Sequence, residues 1–352
     1  MKSLNRRNFI KSTALSSAAL SSAALSSGVI SLAQAPTFAS SVNQEVAGKV
    51  GIIGLDTSHS VAFTKVLNDT NAEADVAGCT VVAAYPHGSK DIESSVSRIP
   101  KYTEEIQELG VKIVDSIDAL LDEVDFVLLE TNDGRRHLEQ ALPVFEAGKP
   151  VFIDKPISAS LSDAVALFNA AEKYDVPMFS SSSLRYMRSA QEVVNGSIGK
   201  VLGATAYSPA HLEPTHPDLY WYGVHGVEAL FTVMGTGCQS VTRQHSEGTD
   251  VVVGSWNEGR IGTFRGMRSG ELGYGGIAFG KTGIAPLGPY DGNRPLLVEI
   301  VKFFKTGQPP VSAEETLEIF AFMTAADVSK QRGGQSVTLE EVMTEAREKA
   351  EL

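Results

Sequence analysis

Cysteine is scarce in this 352-residue sequence, which contains only Cys79 and Cys238. Two cysteines allow at most one disulfide, so a fold held together by several disulfides is excluded. The two residues lie in different halves of the chain, one opening an apolar run and the other in a glycine-rich turn. Nothing in the sequence brings their sulfur atoms together, and we predict that both thiols are unpaired.

Long apolar runs are also missing, since none after residue 40 is long enough to form a transmembrane helix. Hydrophobic residues make up 43% of the sequence and charged residues 20%, which is typical of soluble globular proteins. The length exceeds what one hydrophobic core usually organises, so we predict two domains.

Basic residues are outnumbered, with 30 lysines and arginines against 42 acidic residues and a net charge of −12. The first 39 residues hold four of the basic residues and no acidic one, so their removal would leave a net charge of −16. Such a surface repels nucleic acid and anionic membranes, and we exclude both as partners.

The N-terminus has the order of a signal peptide, with basic residues followed by a weakly apolar stretch over Thr13–Ala33. Asn5–Lys11 resembles the twin-arginine export motif, in which paired arginines precede an aromatic and an aliphatic residue. We predict a twin-arginine signal peptide over residues 1–39, cleaved after Ala39 or Ala33, and hence a periplasmic or otherwise exported protein. An ordinary secretory signal or a basic tail is the alternative.

Apolar runs without polar alternation occur at Lys49–Gly54, Thr80–Ala84 and Asp125–Glu130, separated by segments with helical patterns. Such strands are typical of a parallel sheet that helices cover on both faces. We therefore predict a doubly wound, Rossmann-like α/β domain over residues 48–156. Ligands bind at the carboxyl ends of the strands in this architecture.

The pattern changes after Lys155-Pro156. Short strands with glycine turns dominate from Val201 to about Phe279, and helices are predicted at Pro295–Thr306 and Ala313–Lys330. We predict an α+β domain with an open, mostly antiparallel sheet over residues 157–345, which serves substrate binding and oligomerisation.

Three motifs carry a family resemblance. They are the strand and turn Val50–Gly54, the segment Ala147–Pro156, similar to "AGKxVxxEKP" with Asp154 for Glu, and the segment Gly223–Glu228, similar to "GxHxxD" with Glu228 for Asp. On these motifs the chain resembles the Gfo/Idh/MocA family from residue 49 to about residue 340. Members of that family are mostly NAD- or NADP-dependent oxidoreductases that act on sugars, cyclitols and related polyols.

The dinucleotide fingerprint is degenerate. Of its three glycines only Gly54 is kept, and Asp56 and His59 occupy the other two positions. A carboxylate that faced a pyrophosphate would be unfavourable, whereas the hydroxyls of Thr57 and Ser58 and a helix N-terminus would favour an anion.

The second strand ends without the acidic residue that binds a ribose 2′-hydroxyl. His87, Ser89 and Lys90 follow it and either accept a 2′-phosphate or form a solvated turn, so NADP is slightly favoured over NAD. The predicted cofactor-binding residues are Gly54, Thr57, Ser58, His59, Ser89, Thr131, Asn132, Asp154 and Lys155.

The resemblance also implies the residues that handle protons. Lys155 would contact the nicotinamide and the substrate hydroxyl, and His225 would accept the hydroxyl proton during hydride transfer. The family commonly has an aspartate four residues before this histidine, where the present sequence has Trp221. Tyr222 is the predicted substitute, as a hydrogen-bond donor.

Glu228 lies three residues after His225 on a predicted helix, where it would either orient the imidazole or be exposed to solvent. Arg185 and Tyr186 match a site-facing region of the family and are predicted, with His211 and His225, to contact the substrate. We predict no metal site. The alternative is a divalent metal bound by the loop residues His211, Glu213, His216 and His225.

The sequence thus predicts an exported, NAD- or NADP-dependent oxidoreductase that holds its cofactor tightly, acts on a carbohydrate or polyol and forms a homo-oligomer. One alternative is a sugar lyase, hydrolase or epimerase with a retained cofactor or the loop metal. The other is a sugar-binding protein without catalysis, because fold does not fix function.

Overall fold

A computed structural model describes residues 48–350 of the chain. The predicted signal peptide and its twin-arginine motif lie outside the described residues. The described part forms one compact unit that contains two β-sheets.

The first sheet has six parallel strands in the order β3-β2-β1-β4-β5-β6. The strands are β1 Gly48–Ile53, β2 Cys79–Tyr85, β3 Lys112–Ile113, β4 Phe126–Leu129, β5 Val151–Ile153 and β6 Met178–Phe179. This order confirms the predicted doubly wound domain. The strand order reverses between β1 and β4, and the carboxyl ends of these two strands border the crevice where ligands bind in such folds.

The helices that flank this sheet are α1 Ser58–Leu67, α2 Glu93–Val96, α3 Ile99–Glu108, α4 Ile117–Leu121, α5 His137–Glu146 and α6 Leu161–Lys173. The cap predicted at Ser116 is present, because its hydroxyl accepts a hydrogen bond from the Ala119 N–H at 3.1 Å. Gly148 follows α5 with a φ of +66°, a conformation that glycine adopts readily and that ends the helix as predicted.

The second sheet has seven strands in the order β12-β11-β7-β10-β9-β8-β13. They are β7 Val201–Pro209, β8 Cys238–Ser246, β9 Thr249–Trp256, β10 Ile261–Met267, β11 Gly275–Gly280, β12 Ile284–Leu287 and β13 Val337–Thr338. Every pair is antiparallel except β7 with β10. The prediction of an open, mostly antiparallel sheet is confirmed.

The remaining helices are α7 Arg188–Val194, α8 Val224–Met234, α9 Arg294–Thr306, α10 Ala313–Gln331 and α11 Leu339–Ala350. Helix α9 packs against the first sheet although it comes late in the chain. Its Phe303 ring lies 5.0 Å from Phe179 of β6, and its Phe304 ring stacks on Phe126 of β4 at 4.8 Å. The predicted boundary at residue 156 also precedes β6, the last strand of this sheet. The first sheet therefore depends on chain from both sides of residue 156.

Cys79 and Cys238 are both buried and unpaired, as predicted. Within residues 48–350, no helix is both long enough and apolar enough to cross a membrane.

Candidate active site

A cavity of about 530 Å³ lies at the carboxyl ends of β1, β4 and β5, where the first sheet meets the second half of the chain. The first sheet contributes Thr57, Ser58, His59, Asn132 and Lys155 to its wall. The second half contributes Ser183, His211, Trp221, Tyr222, His225, Tyr274 and Tyr290. The structure thus brings Lys155, Tyr222 and His225, the three residues predicted to act on the substrate, into one cavity.

Gly54 and Thr131 lie against each other below the cavity wall. Gly54 has a φ of +88°, and a Cβ atom there would lie 2.3 Å from Thr131 Oγ1 and 2.6 Å from the Thr131 nitrogen. Only glycine allows this approach of the chain after β1 to the chain after β4. Neither residue lines the cavity, and their packing against each other is the role that the structure shows.

Asp56 is fully buried and its carboxylate is occupied by neighbouring donors. It accepts the backbone N–H of Asn132 at 2.8 Å, the N–H of Ser89 at 3.3 Å and the hydroxyl of Ser95. Asp56 therefore ties together the loops after β1, β2 and β4. The expectation that its charge would oppose a pyrophosphate is wrong, because the side chain does not line the cavity.

Ser89 is also used internally, which corrects its predicted cofactor contact. The residue is buried, and its hydroxyl donates to Asp91 Oδ1 at 3.0 Å while its N–H donates to Asp56. Of the three residues predicted to accept a 2′-phosphate, only His87 and Lys90 are exposed.

His59 lies in the first turn of α1 and faces two carboxylates. Its Nδ1 atom is 3.2 Å from Asp154 Oδ2 and 3.9 Å from Glu130 Oε2, and its ring stacks on Phe63 at 5.1 Å. Lys155 Nζ lies 3.7 Å from Asp154 Oδ2 on the cavity side. Asp154 was predicted to contact the cofactor, but it is fully buried and contacts His59 and Lys155 instead.

Glu130 was not singled out from the sequence, although an acidic residue directly after the apolar strand β4 was a usable signal. Burial and the adjacent charge of Asp154 raise the pKa of Glu130 well above its usual range. Burial acts on Asp154 in the same sense, but the charges of Lys155 and His59 outweigh it and lower the Asp154 pKa. In the protein alone, ionisation of this pair therefore favours Asp154 over Glu130.

His225, at the start of α8, is held by one hydrogen bond and two aromatic rings. Its Nδ1 atom lies 2.7 Å from the Ser182 hydroxyl, and Tyr222 and Tyr274 contact the ring edge-on at 5.1 and 6.3 Å. Burial, and after it the charge of Lys155, lowers the pKa of His225 well below its usual value. The imidazole is therefore neutral at pH 7, and its Nε2 atom remains for a ligand.

Three tyrosines form an aromatic wall around His225. The Tyr222 hydroxyl lies 3.0 Å from the Tyr274 hydroxyl, and the Tyr290 hydroxyl lies 3.0 Å from Ser183 Oγ. Tyr222 contacts His225 through its ring, and its predicted role as a hydrogen-bond donor to a substrate stays a prediction. Tyr274 and Tyr290 were not predicted, because they follow glycine-rich turns that carry no recognisable motif.

Glu228 is buried but does not touch His225. Its carboxylate accepts the Ser181 hydroxyl at 2.5 Å, the Ser182 N–H at 2.7 Å and Arg185 Nε at 2.8 Å. The alternative of an exposed Glu228 is therefore wrong, and Glu228 does not bond the imidazole directly. Glu228 acts on the imidazole indirectly, because it holds Ser182 in place and the Ser182 hydroxyl contacts His225.

Arg185 and Tyr186 do not lie beside Lys155 and His225. The Arg185 guanidinium is buried between Glu228 and Glu315, both at 2.8 Å, and the two residues line a separate cavity. The structure therefore places them behind the His225 wall, away from the cavity where a substrate contact was predicted.

The alternative metal set of His211, Glu213, His216 and His225 is not assembled. His216 Nε2 accepts the Gly134 N–H at 3.2 Å, and Thr215 occupies both His216 Nδ1 and Glu213. Burial lowers the His216 pKa to about 4, so this imidazole is neutral and structural. Among residues 48–350, the histidine–carboxylate set whose ligand atoms all lie within 4.8 Å of one another is His59, Glu130 and Asp154.

Comparison with known proteins supports the resemblance found in the motifs. Residues 48–181 match the model of the Gfo/Idh/MocA family, described as an oxidoreductase family with an NAD-binding Rossmann fold. A stretch of 128 residues is 31% identical to an uncharacterized oxidoreductase of Streptococcus pneumoniae serotype 4, over 34% of this chain and 35% of that protein. The chain thus aligns with about a third of that curated relative. Over residues 48–181, the first sheet and its helices therefore resemble the NAD-binding Rossmann domain of that family.

Solved structures share the fold across both sheets. A probable dehydrogenase from Thermotoga maritima is 24% identical, with a TM-score of 0.65 over 84% of this chain and 99% of that one. The scyllo-inositol dehydrogenase of Lactobacillus casei, solved with NAD(H) and scyllo-inositol, is 15% identical, with a TM-score of 0.64 over 84% and 99% of the two chains. These likenesses establish that the fold with its two β-sheets is shared.

Proposed function

We propose that this protein, whose N-terminal domain is of the Gfo/Idh/MocA oxidoreductase type, is an NAD- or NADP-dependent oxidoreductase that acts on a carbinol of a carbohydrate or polyol. The observation that carries the proposal is the meeting of Lys155 and His225 in one cavity at the carboxyl ends of β1, β4 and β5. The volume of about 530 Å³ is in the usual range for small-molecule sites.

The residues around the cavity fit a dinucleotide in two respects. The first turn of α1 contains no acidic residue and presents Thr57 and Ser58 to the cavity, so the helix N-terminus can receive a phosphate. Asp56 is turned into the protein and does not oppose that charge. Thr57, Ser58, Asn132 and Lys155 are the residues that would hold the cofactor.

When bound, the nicotinamide supplies a hydride acceptor or donor, and the protein supplies the proton chemistry. In the oxidation direction, the neutral His225 accepts the hydroxyl proton of the substrate through Nε2. The Lys155 ammonium stabilises the negative charge that develops on the same oxygen. Ser182 holds the His225 ring by its Nδ1 atom, which fixes the direction of Nε2.

A carbohydrate or polyol suits the opposite wall of the cavity. Tyr222, Tyr274 and Tyr290 offer flat apolar rings with hydroxyl groups at their edges, and His211 lies edge-on to Tyr222 at 5.3 Å. Such side chains can pack against the C–H face of a sugar ring and hydrogen-bond its hydroxyls. Inositol is the ligand of one structural neighbour, which is consistent with this class.

Export through the twin-arginine pathway is part of the same proposal. The motif Asn5–Lys11 supports it, and a periplasm without free nicotinamide nucleotides would require a tightly held cofactor that a second substrate regenerates.

We also propose that copies of the chain associate. Tyr207, Ile261, Ile277, Phe279 and Ile284 are exposed. The strand register places all five on one face of the second sheet. A large exposed apolar face of this kind marks a protein interface, and light scattering on the purified protein would show a mass above that of the monomer.

A lyase or epimerase that uses the retained cofactor transiently is the second candidate. The loss of two fingerprint glycines, with His59 standing in one of their places, favours it. It would use the same Lys155 and His225 but would convert the substrate without net oxidation.

The test begins with protein exported through its own leader. Mass spectrometry of nucleotide released on denaturation, with calorimetric titration of NAD⁺ and NADP⁺, measures cofactor binding. Hydride transfer to sugars and polyols is then followed by nicotinamide absorbance. We expect stoichiometric nucleotide, and a 10²- to 10⁴-fold loss of turnover in Lys155→Met and His225→Asn, the usual size of acid–base effects.

Lys149→Met is the matched control, because Lys149 precedes β5 and Lys155 follows it. The control should keep wild-type turnover. A protein that neither releases nor binds nucleotide would refute the oxidoreductase proposal. Bound nucleotide with conversion of sugar but no net redox change would favour the second candidate.

A further inference from the structure

Three buried side chains converge from separate elements at the floor of the cavity. His59 comes from the first turn of α1, Glu130 directly follows β4, and Asp154 directly follows β5. The relative exposure of His59 is 7%, and that of each acid is 0%. One imidazole nitrogen and one oxygen from each carboxylate all lie within 4.8 Å of one another.

Each of the two carboxylates has one oxygen that lacks the hydrogen bond a buried acid normally has. Glu130 Oε1 and Asp154 Oδ1 are buried and have no hydrogen-bond partner within residues 48–350. The other oxygen of Glu130 receives only the Thr57 hydroxyl, at 3.3 Å. A buried carboxylate oxygen without a donor is costly, so the unpartnered oxygens point to a missing positive charge.

The distances suit a shared metal ion. Two atoms bonded to one ion at about 2.0–2.2 Å are themselves separated by roughly 3.0–3.5 Å in tetrahedral or octahedral geometry. His59 Nδ1 lies 3.2 Å from Asp154 Oδ2 and 3.9 Å from Glu130 Oε2, so these two separations are already close to the range that a shared ion requires. Imidazole with two carboxylates is a ligand set for divalent first-row transition metals, Zn²⁺ among them.

We propose that His59, Glu130 and Asp154 bind one divalent transition metal ion at the floor of the cavity, at the position where the fingerprint glycines are lost. Three protein ligands leave at least one coordination position for water or a ligand, and His59 itself lines the cavity. This set shares no residue with the loop His211–His216.

The charge balance supports the proposal. Asp154 and Glu130 bring two negative charges, and Lys155, 3.7 Å from Asp154, is the adjacent positive side chain. The single charge of Lys155 does not balance two ionised carboxylates, whereas a divalent ion would do so.

The metal would also change what the cavity can bind. A neutralised floor next to Lys155 and the α1 N-terminus favours a phosphate more than a floor with an ionised Asp154 does. This consequence rests on the proposed function, and it predicts that Zn²⁺ tightens dinucleotide binding. Metal binding itself does not depend on the nucleotide.

The test is a calorimetric titration of the chelator-treated, nucleotide-free protein with Zn²⁺, with Mn²⁺ and Mg²⁺ as comparators. Elemental analysis after dialysis gives the stoichiometry. We expect one Zn²⁺ per chain, with a rise in Tm on binding because the ion binds only the folded state. Glu130→Gln and His59→Asn should each weaken Zn²⁺ binding at least 10-fold, since ligand removal should cost no less than the 10- to 100-fold typical of the residues that support ligands.

His211→Asn is the control, because it removes a histidine of the same cavity that lies outside the set, and its Zn²⁺ affinity should stay at the wild-type value. Circular dichroism checks that each variant is folded. The proposal is overturned if the folded wild type binds no stoichiometric Zn²⁺ or Mn²⁺, or if Glu130→Gln and His59→Asn bind the ion as tightly as the wild type. Nucleotide release is measured separately, so failure of the metal site and failure of the proposed function give different results.

Discussion

Glu130 and Glu228 are both fully buried and both lie near a histidine of the cavity, yet their surroundings differ. Glu228 accepts three hydrogen bonds within 2.8 Å, one of them from the Arg185 guanidinium. Glu130 accepts a single bond of 3.3 Å, and its Oε1 atom has no partner within residues 48–350. A buried carboxylate whose oxygens all have hydrogen-bond donors therefore stabilises the fold, whereas one that lacks such donors is a candidate ligand site.

Replacement of Glu228 should have the largest effect on stability. Glu228→Gln leaves the buried Arg185 with Glu315 as its remaining acidic partner. We expect the free energy of unfolding to fall by about 3–5 kcal/mol, as when one member of a buried ion pair is removed. Urea denaturation measures it, and Glu315→Gln, at the more exposed partner, should cost less. A loss of less than about 1 kcal/mol in Glu228→Gln would show that its donors are not essential.

Ser182 connects the fully hydrogen-bonded Glu228 carboxylate to His225. Removal of the Ser182 hydroxyl should therefore have the next largest effect on stability. Ser182→Ala deletes a hydroxyl that contacts His225 Nδ1 and accepts the Leu184 N–H. We expect a loss of about 1–3 kcal/mol in stability, since buried partners are left unsatisfied. Proton NMR of the imidazole should show a changed tautomer ratio for His225. Ser183→Ala, which leaves this contact in place, should not change it.

His216 differs from the two glutamates because its imidazole is neutral. Both of its ring nitrogens have hydrogen-bond partners. Its folded pKa of about 4 lies below that of an unfolded histidine, so the unfolded chain takes up a proton first as the pH falls. The stabilisation is complete above about pH 6.5 and is lost progressively between about pH 6.5 and pH 4.

From pH 7.5 to pH 5, the wild type should therefore lose on the order of 1 kcal/mol more than His216→Asn does. Urea titrations of both proteins across this range measure the difference. Equal slopes would mean that the pKa of His216 is not lowered in the folded protein.

Glu130→Gln should have the smallest effect on stability, in contrast to the large effect expected for Glu228→Gln. In the metal-free protein the change keeps the side-chain size and removes a carboxyl group whose ionisation is disfavoured by burial and by Asp154. We expect the free energy of unfolding to stay within about 0.5 kcal/mol of the wild-type value or to rise slightly. A loss of stability as large as that of Glu228→Gln would show that the Glu130 carboxylate also stabilises the fold.

Much of the fold could be predicted from the sequence because its signals are local. The apolar strands β1, β2 and β4, the Ser116 cap and the Gly148 stop each depend on a few neighbouring residues. The meeting of Lys155 and His225 followed from motif positions.

The environments of the acids could not be predicted in the same way. Asp56 is bound by Ser89 and Asn132, which lie 33 and 76 residues away, and Glu228 by Ser182, 46 residues away. In the sequence, Asp56, Glu130 and Glu228 are all acidic residues of the same kind. Only the folded chain shows which of their carboxylates have hydrogen-bond donors nearby. Long-range hydrogen bonding therefore decided the roles that the motifs left open.

Helix α9 has a consequence for the modularity of the protein. Because Phe303 and Phe304 cover Phe179 and Phe126, a fragment that ended at residue 156 would lose β6 and this cover together. The part of the chain that forms the first sheet is therefore not an independent module, since its apolar surface is completed only after strands β7 to β12 of the second sheet have been synthesised. A fusion or a truncation that respects the folding of this chain has to carry residues from about 48 to beyond 306.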